Sequence, residues 1–326
     1  KSRHGRTRLP PGPCGLPLVG YLPFLGTNLH RSFAELALVH GPIFKLWLGS
    51  KLCVVLSSPA VIKEVVREQD RTFANRDPTV AALIMSHNAN DIVFAPDGST
   101  WRMLRKVLVH EMLSNRNLDA CYTFRRHEVR KIVIDVYSKV GTPIDIGQLA
   151  FLTVFNATTS MLWGDFFPTL ARFDIQGIEK ETKKISLWVE QIFDSLLEQR
   201  TEVNAAKRMN ATQKDFVQSL LELRDQQGSG SSITLKHMKS LLLDIVAAGT
   251  DTVSAMVEWV MGELSRHPKV MQKVYEELTS VVGLNDIVEE FHIPKLKYLE
   301  AVVKETHRLH PAAPVLVPRP TFTRPN

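Results

Sequence analysis

Apolar residues recur with two different periods along this chain, and the short period is confined to its early part. From Leu29 to Val39, residues Leu29, Phe33, Leu36 and Ala37 fall on one face at helical spacing, and His40-Gly41-Pro42 ends the segment. Ile43 to Leu48 and Leu52 to Leu56 then carry β-branched and aromatic residues on either side of Gly49-Ser50-Lys51, which predicts a hairpin. Ser58 followed by Pro59 predicts a capped helix running to Glu68. Thr79 to Val93 mixes Val80, Leu83, Ile84, Met85, Ile92 and Val93 with polar turn residues and reads as a partly buried loop. Beyond Pro96 the pattern is helical, with segments predicted over 99–113, 117–139, 147–162, 172–199, 234–266, 268–281 and 295–309. Gly228-Ser229-Gly230-Ser231-Ser232 interrupts them as a linker, since it lacks the lysine of a phosphate-cradling loop. The expectation is a mainly α fold with a small β-sheet.

One helix stands out. Leu241 to Leu264 is apolar on nearly every side, which predicts burial through the centre of the domain. Inside it lie Gly249, Thr250, Asp251 and Thr252, all poor helix formers. Threonine hydroxyls that bond back to a preceding carbonyl, and a glycine that leaves space, would loosen the ladder there and admit a small ligand. A tolerated kink in a core helix fits the same residues. Trp101 and Arg105, spaced i,i+4, project an indole N–H and a guanidinium from one face and so could bind paired carboxylates. An aromatic anchor beside a surface cation is the plainer alternative. Glu305 and Arg308, three apart on an amphipathic helix, are close enough for a charge-assisted pair of the kind common on surfaces.

Composition narrows the class without naming a partner. With 326 residues, 44% of them hydrophobic and 23% charged, the chain can bury a sizeable core and is neither disordered nor fibrous. Three cysteines, Cys14, Cys53 and Cys121, are too few for a disulfide framework and point to a reducing compartment. No histidine, cysteine or carboxylate cluster has zinc-ligand spacing, and His110-Glu111 lacks the second histidine of His-Glu-x-x-His. No unbroken run of eighteen apolar residues occurs, so no segment is expected to span a bilayer. Lys1, Arg3, His4, Arg6 and Arg8 precede Pro10-Pro11-Gly12-Pro13, a basic stretch and stiff hinge suited to a membrane surface, or else a solvated tail. The net charge of +6, from 40 basic against 34 acidic side chains, is too modest to suggest a nucleic-acid surface.

Taken together, several motifs resemble those of the cytochrome P450 haem monooxygenases. Ala247-Ala248-Gly249-Thr250-Asp251-Thr252 resembles their oxygen-handling element, and Lys304-Glu305-Thr306-His307-Arg308-Leu309-His310-Pro311 their Glu-x-x-Arg helix. Val93 to Lys106, with Trp101 and Arg105, resembles the Trp-x-x-x-Arg helix of plant members and its lead-in, and Phe73-Ala74-Asn75-Arg76 fits as well. Almost the whole chain, from Pro10 to Arg319, is similar to plant endoplasmic-reticulum members of the cadinene-hydroxylase type.

That resemblance implies a bound haem b, with electrons from NADPH through NADPH–cytochrome P450 reductase, and insertion of one oxygen atom from O2 into an apolar metabolite. A terpenoid is expected first, then a flavonoid or other phenolic. Thr252 would hold dioxygen and give it a proton, Asp251 would relay protons, and Ala248 with Gly249 would leave room for oxygen. Trp101, Arg105 and, from Val317-Pro318-Arg319, Arg319 would contact haem propionates. Glu305 and Arg308 would brace the core, and the loop from Thr79 to Val93 would line the substrate pocket. The implied location is the cytoplasmic face of the endoplasmic reticulum membrane, with residues 1–20 a juxtamembrane hinge and 21–326 a partial catalytic domain.

Three departures accompany the resemblance. No anchor precedes Lys1. No Phe-x-x-Gly-x-Arg-x-Cys-x-Gly loop, the source of the iron's thiolate, follows the second motif. Leu162-Trp163-Gly164 runs straight into Asp165-Phe166-Phe167-Pro168, where relatives carry part of the helix roofing the pocket. The expectation is therefore a fold incomplete at its C-terminus and in its roof, with Glu305–Arg308 left as half of a buried ionic network. The alternative to a fragment of a working enzyme is a chain that acts without catalysis, as a helical interaction or membrane-surface protein, or an inactive remnant.

Overall fold

The structure, a computed structural model, describes residues 9–163, 189, 191–198, 215–226 and 233–320. Most of the helix predicted over 172–199, the linker at 228–232 and the 164–165 junction lie outside them; residues 191–198 are helical. The chain divides into two compact units, one of residues 1–76 with 314–326, the other of 77–313.

The first unit is built on the predicted hairpin. β1 (Ile43–Leu48) pairs antiparallel with β2 (Lys51–Leu56), Leu48 facing Lys51 across a two-residue turn in which Gly49 has φ +60°. Phe44 and Leu46 point inward and are fully buried while Trp47 points out, the alternation a half-covered strand requires. The preceding segment runs along β1, Tyr21 N–H donating to the Trp47 carbonyl at 2.6 Å. Gly20 sits there at φ +62° against Trp47, a place where a side chain would collide with backbone. α1 (Leu29–His40) turns Phe33, Leu36 and Ala37 inward as expected. α2 (Pro59–Lys63) starts at Ser58, whose hydroxyl accepts the Val61 N–H at 3.3 Å, and continues over Glu64–Glu68 with the wider i→i+5 bonding of a π turn.

The second unit is almost entirely helical. α3 (Val80–Met85) is a short helix within the stretch read as loop; Thr79 caps it by accepting the Ala82 N–H at 3.2 Å, a signal overlooked among the polar turn residues. α4 (Ser99–Lys106) also widens to π bonding, over Val107–Met112. The segment predicted over 117–139 is two helices, α5 (Asn115–Ala120) and α6 (Tyr122–Ser138), because Cys121 at the joint is drawn fully into the core. α7 (Ile146–Trp163) follows. α8 (Phe216–Gln226) was not predicted, although Asp215 caps it through Gln218 N–H at 2.8 Å. α9 (Leu235–Arg266), α10 (Pro268–Val282) and α11 (Lys297–Leu309) match their predicted spans closely. Glu277 of α10 seats α11 by accepting the N–H groups of Tyr298 and Leu299 at 2.7 and 2.9 Å.

The core of this unit gathers Leu162 and Trp163 of α7, Phe193, Leu196 and Leu197, Val217, Leu220 and Leu221 of α8, and Met238, Leu241 and Leu242 of α9. Away from it, Arg126, Arg130 and Tyr122 of α6 converge on Glu289 before α11, and Arg126 first among them holds that carboxyl down at about 2.

Candidate functional site

The long helix α9 is not buried on all sides. Its first third sits in the core, and its middle lies antiparallel on α7, with Gly147 near Glu258 and Thr158 near Gly249. Thr250 and Ser254 are buried, whereas Ala247, Ala248, Asp251 and Thr252 are exposed. Those four occupy i, i+1, i+4 and i+5, so they share one face. The predicted central burial thus holds for one side only, because among the described residues nothing covers the other. The helix also contains an eighteen-residue window of mean hydropathy 1.4, long and apolar enough to cross a membrane. Counting only unbroken apolar runs missed this, and its packing on α7 and in the core gives it partners within the protein.

Through the Gly249–Thr252 patch the helix is continuous, so the expected loosening does not break it. The hydroxyls do bond back: Thr252 Oγ1 donates to the Ala248 carbonyl at 2.6 Å and Ser254 Oγ to that of Thr250 at 2.8 Å. With its proton committed, the exposed Thr252 hydroxyl presents lone pairs outward and can accept a hydrogen bond from a protonated ligand. Ala248, one turn earlier, adds only a methyl. Gly249 differs, since a Cβ there would point toward Thr158 Oγ1 at 4.0 Å, an ordinary contact on the α7 side.

Trp101 and Arg105 do share a face of α4. Arg105 places its guanidinium 5.2 Å from the centre of the Trp101 ring, is exposed, and has no carboxylate within ion-pair reach among the described residues. The Trp101 indole N–H donates to the Ile92 carbonyl at 3.1 Å. Ile92 N–H in turn donates to Asp244 Oδ2 of α9 at 2.9 Å, and the buried Asp91 accepts the Phe94 N–H at 2.9 Å. Asp244 and Asp91 escaped the sequence reading, although an aspartate inside Leu241-Leu242-Leu243-Asp244-Ile245-Val246 was a signal in plain view.

Arg319 lies in the first unit. Its Nη1 donates to the Phe73 carbonyl at 3.5 Å, and its buried Nε has no partner among the described residues. Arg76 donates to the Ala74 carbonyl at 2.6 Å, and burial, then the Arg319 charge, push its pKa below the ordinary value. Glu305 and Arg308 form a bidentate pair at 2.7 and 2.8 Å, with side chains 57% and 66% exposed. The expected cost of a half-built buried network does not arise, because water solvates both ends. Cys121 is sealed in the core and burial pushes its thiol pKa up, which disfavours a thiolate. Cys14 and Cys53 belong to the first unit.

A low helix face of two alanines beside Thr252, and an exposed cation without an acid partner among the described residues, suit a flat, apolar ligand with an acidic edge, and haem is such a ligand. The residues present therefore fit its open face and its carboxylates. Two concavities, of about 260 Å³ beside Trp47 in the first unit and about 340 Å³ beside Glu289 in the second, are lined by other residues.

The profile of the family described as Cytochrome P450 matches residues 10–165 and 156–324, two segments that meet where the roof segment was expected to be missing. "Cytochrome P450 76C1" of Arabidopsis thaliana is 35% identical, over 97% of this chain and 68% of the relative. "Flavonoid 3'-monooxygenase" of the same plant is also 35% identical, over 98% and 68%. Among solved structures, a zebra fish cytochrome P450 with progesterone superposes with a TM-score of 0.75 at 21% identity, covering 90% of this chain and 73% of that one. At that identity the likeness speaks for the fold alone, a mainly helical one with a small sheet.

Proposed function

The chain belongs to the cytochrome P450 family, and on that premise we propose that α9 and the Trp101–Arg105 pair form the oxygen face and the acid-binding edge of a monooxygenase site. The proposed reaction inserts one atom of O2 into an apolar plant metabolite. The observation that carries this reading is the open face where Ala248 and Thr252 stand one turn apart, supported by Arg105, a cation without an acid partner among the described residues.

When bound, haem supplies the oxygen-activating and electron-transfer chemistry. Trp101 and Arg105 would hold its carboxylates by charge-assisted hydrogen bonds, and for Arg319 a like role rests on the family resemblance alone. Ala248 keeps the helix face low so that a small molecule can lie against it. Thr252 accepts a hydrogen bond at its outward lone pairs and passes a proton on when its own O–H turns from the Ala248 carbonyl. Asp251, exposed one residue away, exchanges protons with solvent and feeds them to that face. Glu305 and Arg308 act structurally.

For substrate, a terpenoid comes first, from the resemblance to cadinene hydroxylases. A flavonoid is the second candidate, supported by the relatives named as flavonoid monooxygenases. Electrons would come from NADPH–cytochrome P450 reductase at the cytoplasmic face of the endoplasmic reticulum membrane, residues 1–20 serving as the juxtamembrane hinge and 21–326 as a partial catalytic domain.

The test is an absorbance titration with hemin, followed by addition of a sesquiterpene or a flavonoid. Saturation at one hemin per chain, weaker binding in Arg105→Ala, and a Soret shift on adding the apolar ligand are expected. Hemin that binds without saturation, or equally well to Arg105→Ala, would sink the reading.

A further inference from the structure

Ile92 is held by both of its backbone groups, which belong to consecutive peptide units. Its N–H donates to Asp244 Oδ2 at 2.9 Å, and its carbonyl accepts the Trp101 indole N–H at 3.1 Å. Trp101 carries the Arg105 guanidinium on its ring. One carboxylate on α9, a single turn before Ala248, is thus linked through one residue to an indole N–H and the seat of a cation on a different helix.

The surroundings show that this carboxylate is not there by default. Asp244 stands within Leu241-Leu242-Leu243-Asp244-Ile245-Val246, half-buried, and feels the charge of Asp91, which is 2% exposed. A carboxylate so placed is disfavoured unless its bonds hold something in position. The residue it holds follows a strained stretch. Just before it, His87, Asn88 and Ala89 have φ of 50°, 63° and 58°, three successive left-handed residues without a glycine. Such strain persists only where neighbours impose it. Here Ser86 Oγ accepts the Ala89 N–H at 2.9 Å, and His87 Nδ1 lies 3.0 Å from Ser240 Oγ, one turn before Asp244 on the same helix.

We propose that Asp244 is a positioning residue for the Trp101–Arg105 pair: it clips Ile92 to α9, and a tight clip fixes the place from which the indole N–H turns from the Ile92 carbonyl to an incoming carboxylate. The inference deepens the proposed function and rests on its reading of Trp101 and Arg105 as carboxylate-binding.

Burial pushes the Asp244 pKa up to about 7, the Asp91 charge adds to that, and the Ile92 and Val93 N–H groups oppose it. His87 meets Ser240 one turn before Asp244, Lys239 earlier on α9 pairs with Asp194, and Arg105 of α4 lies over Trp101. α7 contributes no ionisable side chain between Ile146 and Trp163. An ionised acceptor bonds the Ile92 N–H more strongly than a protonated one, so the clip tightens as pH rises through about 7.

The test uses the apo chain labelled with ¹⁵N at its five tryptophans, the Trp101 indole signal being assigned with Trp101→Phe. In the wild type that signal should titrate near pH 7, and exchange at the Ile92 amide, corrected for its intrinsic rate, should slow by about five- to tenfold from pH 6 to 8. In the isosteric Asp244→Asn both responses should vanish, and hemin should bind several-fold more weakly while hemin dimethyl ester binds as to the wild type. An indole signal that does not titrate, or titrates alike in Asp244→Asn, overturns the clip and leaves the carboxylate reading standing. A titrating indole in a wild type that binds hemin and its ester equally overturns the carboxylate reading, and the positioning role with it.

Discussion

Replacing Asp244 with Asn tests the electrostatics of α9 through stability alone. Burial, reinforced by Asp91, raises the folded-state pKa of Asp244 from 3.8 to about 7. A carboxyl raised in this way favours folding while protonated, so its contribution is fully present below pH 3.8 and is lost as pH rises through about 7. At about 1.4 kcal/mol per unit, a shift of roughly three units amounts to about 4 kcal/mol, of which roughly 2–3 kcal/mol falls between pH 5 and 8. Asp244 keeps some contact with water, and screening reduces the expected figure to about 1–2 kcal/mol. Urea unfolding at pH 5, 6, 7 and 8 should therefore show Asp244→Asn gaining on the wild type at each step, the gain levelling off above pH 8. A difference between the two proteins that stays constant over that range would refute the account. The same titration that tightens the local bond to Ile92 lowers global stability, because the two N–H bonds only partly offset desolvation and repulsion.

Other substitutions separate the two faces of α9 and the two units. Gly249→Ala, whose methyl would meet nothing nearer than Thr158 Oγ1 at 4.0 Å, should leave hemin affinity unchanged and raise stability by up to about 1 kcal/mol in thermal melts. Gly20→Ala should do the opposite in the first unit, costing about 1–3 kcal/mol, because it combines positive φ with a collision against the Trp47 carbonyl. Leu242→Ala should cost about 2–5 kcal/mol in urea unfolding, as befits a fully buried core residue. Hemin-loaded residues 1–326, reduced under carbon monoxide, should lack the Soret band of thiolate-ligated haem, since Cys121 is sealed and neither Cys14 nor Cys53 stands in a Phe-x-x-Gly-x-Arg-x-Cys setting.

Local signals were readable wherever one segment's own pattern sufficed. Ser58-Pro59, the Gly49 turn and the period of Pro268–Val282 each predicted their element almost to the residue. The joint at Cys121 was not readable, because Cys121 packs into a core assembled from five other segments and no breaker marks it in the sequence. In the site, the i,i+4 spacing foretold that Trp101 and Arg105 would share a face, but not that the indole would already be bonded to Ile92. The anchoring of that loop by Asp244 spans about 150 positions, and no periodicity encodes such a bond. Burial was over-read in two places for the same reason. Apolar content marks what could be covered, so it predicted a sheathed α9, and family likeness predicted a buried Glu305–Arg308, whereas exposure depends on which elements arrive.

The first unit draws on both ends of the sequence, and Arg319 bonds to Phe73 across a separation of 246 residues. A ribosome adding about 5–20 residues each second needs roughly 12 to 50 seconds to make that stretch. During that interval the hairpin has only its own neighbours to pair with, and two strands alone are marginally stable in water. Trp47, Leu52 and Val54, which remain exposed even after folding, are on offer to anything nearby throughout. Synthesis thus imposes a waiting time on the segment least able to protect itself, and yields in expression should depend on chaperone supply in that window more than on the stability of the helical unit made in between.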